Sequence, residues 1–169
     1  MMVHPANWIV METQSQEQRS FSVIPIGRVE TQVPDREISS SRSQLLSDIV
    51  IFPEYESALR GIDDYSHLMV LFLMDRVEGE IALEGYPRGD PTLPLTGVLA
   101  MRGRRHPNPI GLAVVDLVAR TGCSLLVRRL DAYHGTPVLD IKPYDFYDAY
   151  GDIRVPAWVR AKQLNPGNP

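Results

Sequence analysis

The chain has one cysteine, Cys123, among its 169 residues. A lone thiol can form neither an internal disulfide nor a thiolate metal cluster, so the fold must stand on packing. Long apolar runs are missing as well, and nothing approaches the ~20 residues that a membrane-spanning helix needs. The apolar run at residues 8–11 is too short for a secretory signal, and no basic region precedes it. A cytoplasmic location and no membrane partner are the expectations. Internal repeats and sustained helical periods are absent, as is any glycine-rich loop leading from a strand into a helix. A nucleotide-like ligand would therefore be held outside the common α/β solution. Positive charge is also short. Seventeen Lys and Arg against twenty-one Asp and Glu leave a net charge of −4, which excludes a protein that coats nucleic acid nonspecifically through many phosphate contacts. Local basic clusters remain: Arg102, Arg104, Arg105 and His106 form one, Arg128 and Arg129 another.

What the chain does contain is strand signal punctuated by turns. An apolar fraction of 44% and a charged fraction of 22% are ordinary for one globular domain. Residues 1–20 read as a flexible lead, 21–150 as the domain, and 151–169 as an extension with a disordered end. Residues 22–30 are β-rich, with Pro25 suiting an edge or bulged first strand. Residues 32–47 offer little to bury and read as a long mobile loop. Residues 48–52 form a strand closed by Pro53, followed by a helical turn over 54–59 ending at Gly61. Residues 65–74 are apolar on both faces after His67, the pattern of a central strand covered on both sides. Residues 77–95 read as a flexible connection and 97–101 as a strand. Residues 112–120 and 124–130 make a hairpin around Thr121-Gly122. Residues 153–160 read as a strand and then a helical turn beginning at Pro156. Strands and turns without long helices indicate an all-β, β-dominated barrel.

Two segments concentrate proline, glycine and polar residues against short apolar runs: His106-Pro107-Asn108-Pro109-Ile110-Gly111-Leu112, and residues 130–144, which include Gly135-Thr136-Pro137-Val138-Leu139-Asp140-Ile141-Lys142-Pro143-Tyr144. Fixed φ values at the prolines and polar groups beside strand ends make a rigid binding rim. Asn108, between two prolines that lack N–H groups, has little local backbone to satisfy; it either caps the turn or reads a ligand. Asp140 and Lys142 flank Ile141 and share one strand face, as an ordinary ion pair or as a pair acting on substrate. Tyr144 can stack on a base or simply pack. His67, His106 and His134 match no metal-ligand spacing, so no metal is expected.

In this order the two segments resemble the signature of the TsaA-like family (also TrmO or YaeB-like) of S-adenosylmethionine-dependent tRNA methyltransferases. The resemblance continues through Gly61-Ile62-Asp63-Asp64-Tyr65-Ser66-His67-Leu68 and Gly97-Val98-Leu99-Ala100-Met101-Arg102, covering residues 24–150. It implies a small single-sheet β-barrel with short helical turns and long loops, S-adenosylmethionine as cofactor, and a homodimer with its interface near the cofactor pocket. The implied acceptor is the exocyclic amine of threonylcarbamoyladenosine beside the tRNA anticodon. Carried over position by position, it implies cofactor contacts at Arg42, Asp75, Arg76, Arg102, Leu112, Arg128, Arg129, Leu130 and Asp131. Arg105, His106 and Tyr144 are the substrate candidates, and Asp140, Lys142 and Asn108 the catalytic ones. The chain departs from the family pattern at Asp75-Arg76, where His-Gln is usual, and at Ser41 and Ser43 around Arg42, where Pro and Gln flank the arginine. His106 replaces Arg, and His134 replaces Asp. Longer family members carry an additional C-terminal domain. A binding module that holds the cofactor or a nucleotide without catalysis, and a methyltransferase acting on a small molecule, are the alternative readings.

Overall fold

A computed structural model describes residues 21–41, 43–79 and 82–164. Arg42, residues 1–20 and residues 165–169 lie outside the described residues, and with them the expected lead, the terminal tail and one implied cofactor contact. Among the described residues eight strands form: β1 (Gly27–Glu30), β2 (Leu46–Ile51), β3 (His67–Leu73), β4 (Glu84–Gly85), β5 (Thr96–Gly97), β6 (Ile110–Thr121), β7 (Ser124–Arg128) and β8 (Pro137–Pro143). Six close into an antiparallel barrel in the order β1-β2-β7-β6-β3-β8, with β8 pairing back to β1. The expected all-β single-sheet barrel is thus the fold. β4 and β5 form a separate two-stranded arm.

Alternation along the strands fills the barrel. Val29, Ile49, Ile51, Leu68, Val70, Phe72, Ala113, Val115, Leu125, Val127 and Val138 are all buried in one cluster, and Leu59, Leu130 and Ala132 join it from outside the strands. β6 is long enough to serve two neighbours, since residues 110–116 pair with β3 and 116–121 with β7. The register slips at Val118, a bulge that lets one strand bend around the barrel. A second slip leaves Leu139 without a partner on β3. In an unbroken strand Val138, Asp140 and Lys142 would share a face; the bulge keeps Val138 in the core and sends Asp140 and Lys142 outside.

Several local expectations are corrected. Pairing in the first strand starts only at Gly27, opposite Ile51 where β2 ends, and Phe21, Val23 and Ile24 are exposed. The loop expected over 32–47 contains helix α1 (Asp35–Ser41), anchored by fully buried Ile38, while Leu45 is buried and Leu46 already belongs to β2. One apolar anchor is too weak a signal for a helical period. β3 alternates fully and partly buried residues instead of being sealed on both faces. The strand expected over 97–101 stops after Gly97 and becomes a 3-10 turn, Val98–Ala100, and the connection before it contains β4. The hairpin turn sits one residue later than expected, because Thr121 pairs with Ser124 across Gly122 and Cys123. Residues 153–156 form no strand; helix α2 (Ala157–Leu164) begins directly after Pro156.

Candidate cofactor groove

A groove of about 900 Å³ opens between the barrel mouth and the β4–β5 arm. One wall is the barrel: Phe72, Met74, Asp75 and Arg76 at the end of β3, the first half of β6, and Asp131 to Tyr133 after β7. The other is the arm and the loop after it, with Arg88, Met101, Arg102, Gly103, Arg104 and His106. The volume lies at the upper end of the ~300–1,000 Å³ typical of ligand clefts.

The backbone explains why these residues meet. Met74 N donates to Pro109 O at 2.8 Å and Ile110 N to Asn108 O at 2.7 Å, which clamps the Pro-Asn-Pro segment to the end of β3. Arg129 has φ of 78°, a left-handed conformation unusual for a side chain of this size, and its N–H donates to Leu45 O at 2.9 Å. That reversal ends β7. Arg128 stays outward, Leu130 is fully buried in the core cluster, and Asp131 lines the groove. Gly135 takes φ of 84° in the next turn, where Thr136 N donates to Tyr133 O at 3.1 Å, and only glycine does so without strain.

Arg102 directs one guanidinium nitrogen to Leu112 O at 2.8 Å, across the groove from its own loop. The carbonyl orients the side chain but does not neutralise it. Arg76 is tied down more heavily: Nη1 donates to Asp35 Oδ2 at 2.7 Å, Nη2 to His134 O at 2.6 Å, and the guanidinium lies 5.4 Å from the centre of the Tyr133 ring. It thereby fastens α1 and the 133–136 turn to the barrel. His134 in turn accepts from Thr31 N at 3.3 Å.

Of the residues expected to hold the cofactor, Asp75, Arg76, Arg102, Leu112 and Asp131 come together in this groove, and His106 joins them. Arg128, Arg129 and Leu130 are not among its lining residues. Arg128 instead faces Asp116 at 3.9 Å, and Asp116 also meets His67 Nε2 at 3.1 Å, while Ser66 Oγ and His67 Nδ1 are 2.8 Å apart. His67 is therefore satisfied at both ring nitrogens, half-buried on the outer face, with Tyr144 6.2 Å away, centroid to centroid. His106 is half-buried and its Nε2 lies 3.1 Å from Met101 O, a tie within its own loop. Arg105 and Asn108 are exposed and outside the groove lining.

Asp140, Lys142 and Tyr144 are also not groove-lining residues. Asp140 accepts from Ile141 N at 2.9 Å and pairs with Lys142 Nζ at 2.7 Å. Asp140, Leu71 and Leu112 lie in one row across β8, β3 and β6, so Asp140 stands two strand spacings, about 10 Å, from Leu112 in the groove wall. Sequence reasoning missed Arg88, Arg104, Tyr133 and Val114 as lining residues. Arg104 was visible as part of a basic cluster, whereas nothing in the sequence set Arg88 apart. Among the described residues, no group of three or more His, Cys, Asp or Glu is placed to hold a metal ion, and no helix is long and apolar enough to cross a membrane.

A small closed barrel that carries a charged cleft at its mouth, between the ends of β3 and β6, defines a class of ligand-binding domain unrelated to the parallel-sheet nucleotide folds. The chain belongs to the family described as "tRNA-methyltransferase O N-terminal domain", whose profile matches residues 29–149. A relative from Archaeoglobus fulgidus, called "Probable S-adenosyl-L-methionine-binding protein", is 43% identical over 120 residues, or 70% of this chain and 31% of that protein. The human "tRNA (adenine(37)-N6)-methyltransferase" is 36% identical over 108 residues, 63% of this chain and 24% of its own length. A solved structure titled "Crystal structure of TrmO" superposes with a TM-score of 0.66 at 30% identity, covering 81% of this chain and 64% of that one. The chain thus spans about a third of the Archaeoglobus protein, a quarter of the human one and under two thirds of the structural neighbour.

Proposed function

We propose that the chain binds S-adenosylmethionine in the groove and transfers its methyl group to N6 of an adenine in tRNA, with threonylcarbamoyladenosine beside the anticodon as the acceptor. The observation that carries this reading is the convergence of Asp75, Arg76, Arg102, Leu112 and Asp131, which are scattered in sequence, on one cleft of sufficient size. The residues present fit the cofactor. Arg102, aimed by the Leu112 carbonyl and free of a carboxylate partner among the described residues, suits the methionine carboxylate. Asp131 suits the ammonium or the ribose diol, and exposed Leu112 and Val114 offer an apolar wall for the ring. When bound, the cofactor supplies a methyl group already activated by its sulfonium.

The protein's remaining work is alignment and one proton. Asp140 is a poor acceptor for that proton, because both its oxygens are engaged and it stands outside the groove. Exposed Asp75 has no hydrogen-bond partner among the described residues and lines the cleft, so the proton role falls to it. Asp140, Lys142 and Tyr144 occupy the outer face beside the groove, where the rest of an acceptor nucleotide would extend. Homodimer formation along β6, beside the groove, is part of the same proposal. It is supported by exposed apolar residues on β6, Ile110 (48%), Leu112 (49%), Val114 (39%) and Val118 (43%), which run from the groove wall along the strand past Asp116.

The test is incubation of the purified chain with S-adenosylmethionine and tRNA, followed by nucleoside mass spectrometry. A gain of one methyl on the modified adenosine, lost in Asp75→Asn with cofactor affinity retained, is the expected result. The relatives named only as binding proteins favour a second reading, cofactor binding without transfer. Saturable cofactor binding with no methylated nucleoside from any tRNA would establish that one instead.

A further inference from the structure

The two walls of the groove differ in charge. The barrel wall is mixed: Asp75, Asp131, and an Arg76 already neutralised by Asp35. The arm and its following loop line the groove with Arg88, Arg102 and Arg104, while the arm's carboxylates, Glu84 and Asp90, are not among the lining residues. Four arginines elsewhere have acid partners: Arg28 with Glu30, Arg36 with Glu37, Arg120 with Asp63 and Arg128 with Asp116. Others, such as Arg60 and Arg105, have none among the described residues, so it is convergence on one wall that sets the arm side apart. None of the three on the arm side has one among the described residues. In a chain with net charge −4, three unpaired arginines converging on one wall are a concentrated cationic field.

Arg88 is also placed at a conformational cost. It sits within the 3-10 turn Pro87–Gly89 with φ of 60° and ψ of 16°, a left-handed backbone that a long side chain seldom adopts. The turn is braced on both sides. Pro87 is buried, and Asp90 Oδ1 accepts from Thr92 Oγ1 at 2.6 Å and from Thr92 N at 2.9 Å. The arm is registered by Glu84 opposite Gly97 and Gly85 opposite Thr96, and Val98 N donates to Leu83 O at 2.9 Å. One rigid arm therefore presents Arg88 from its tip and is followed directly by the loop of Arg102 and Arg104.

The cofactor's single carboxylate needs one of these arginines, and Arg102 is the one oriented across the groove. We propose that Arg88 and Arg104 grip phosphates of the RNA strand whose adenine enters the groove, so that the arm positions the nucleic acid while the barrel wall holds the cofactor. This rests on the nucleic-acid reading above. The residues concerned are positioning residues, which touch the backbone and leave the reacting atoms alone.

The experiment is fluorescence anisotropy of a labelled RNA stem-loop with adenine in its loop, without cofactor, at several salt concentrations. Cofactor affinity is measured separately by calorimetry. Arg88→Gln and Arg104→Gln are each expected to weaken RNA binding and to reduce the slope of log affinity against log salt by about 0.7, the value for one phosphate contact to a single strand. Cofactor affinity should stay unchanged. Arg88→Lys should retain most of the slope, because lysine meets phosphate as a point charge. Arg60→Gln, an exposed arginine just past the turn Pro53–Leu59 and outside the groove, should leave it unaltered. Unchanged slopes in both groove variants, equal losses in Arg60→Gln, or wild-type protein that binds cofactor but no RNA would each overturn the proposal. A fall in cofactor affinity with an intact RNA slope would assign the arm to the cofactor and overturn it as well. Because the slopes are read without cofactor, a failure of cofactor binding removes the methyl-transfer reading and leaves the phosphate contacts judged on their own.

Discussion

Phe72 on β3 and Gly111 on β6 are direct cross-strand partners, and the Phe72 ring occupies the space that a side chain at position 111 would need. Gly111 follows the Pro-Asn-Pro segment and Phe72 is buried, so this contact joins the rigid rim to the core beneath the groove. Gly111→Ala should cost about 1–3 kcal/mol, the usual range for overpacking. Phe72→Leu alone should leave a cavity, and the double variant should be more stable than the sum of the two losses. Urea unfolding of the four proteins checks this, and strict additivity would refute the contact.

Arg102→Ala should weaken cofactor binding far more than Arg104→Ala, although both remove one charge from one loop. A bidentate carboxylate contact oriented by Leu112 is worth on the order of 2 to 3 kcal/mol, roughly thirty- to more than a hundredfold. A surface charge is worth under about 1 kcal/mol and fades with salt. Dissociation constants at two ionic strengths decide, and equal salt-sensitive losses would count against the assignment.

Arg76 couples α1 to the groove more through geometry than through energy. Its pair with Asp35 is half-exposed at both ends and worth at most about 1 kcal/mol, so Asp35→Asn should barely move the melting temperature. Arg76→Lys should do more, because a lysine cannot fork to Asp35 and the His134 carbonyl while lying against Tyr133. Faster amide exchange confined to α1 and residues 133–136 is the expected signature. Protection unchanged in Arg76→Lys would show that the fork does not hold these segments.

Thr92 holds the Asp90 carboxyl below its ordinary value, first through its hydroxyl and then through its N–H. A carboxyl lowered in the folded state stabilises above its unfolded value and loses that contribution as pH falls through the folded one. The 87–92 turn should therefore keep its order at neutral pH and loosen only in acid, below the ordinary carboxylate range. An NMR titration of the Thr92 amide follows this directly, and loosening near neutrality would contradict it.

If the exposed strip on β6 is a dimer face, light scattering at micromolar concentration should give twice the chain mass. Val118→Asp, at a bulge outside the core, should yield a folded monomer. A wild-type monomer with cofactor present would remove the dimer.

Much of this protein is written locally. Short apolar runs over residues 67–73 and 110–128, broken by turn residues, determine strands, hairpin and barrel class, whereas which face of β3 is buried was decided by closure of the barrel. The proline-rich segments announce the rim, and the spacing of Asp140 and Lys142 foretells their pairing. Tertiary structure alone decided the rest. Whether Asp140 faces the core or the solvent depends on the slip at Leu139, which arises from closing β8 between β1 and β3 and leaves no mark in the strand's own sequence. Arg128, Arg129, Leu130 and Asp131 are consecutive, yet a left-handed residue divides them among the outer surface, the core and the groove. Arg88 joins Arg102 and Arg104 only because the β4–β5 arm folds back across the barrel mouth. Local patterns record what each residue buries, whereas a groove is made by segments distant in the chain, and their meeting is fixed by closure of the whole barrel.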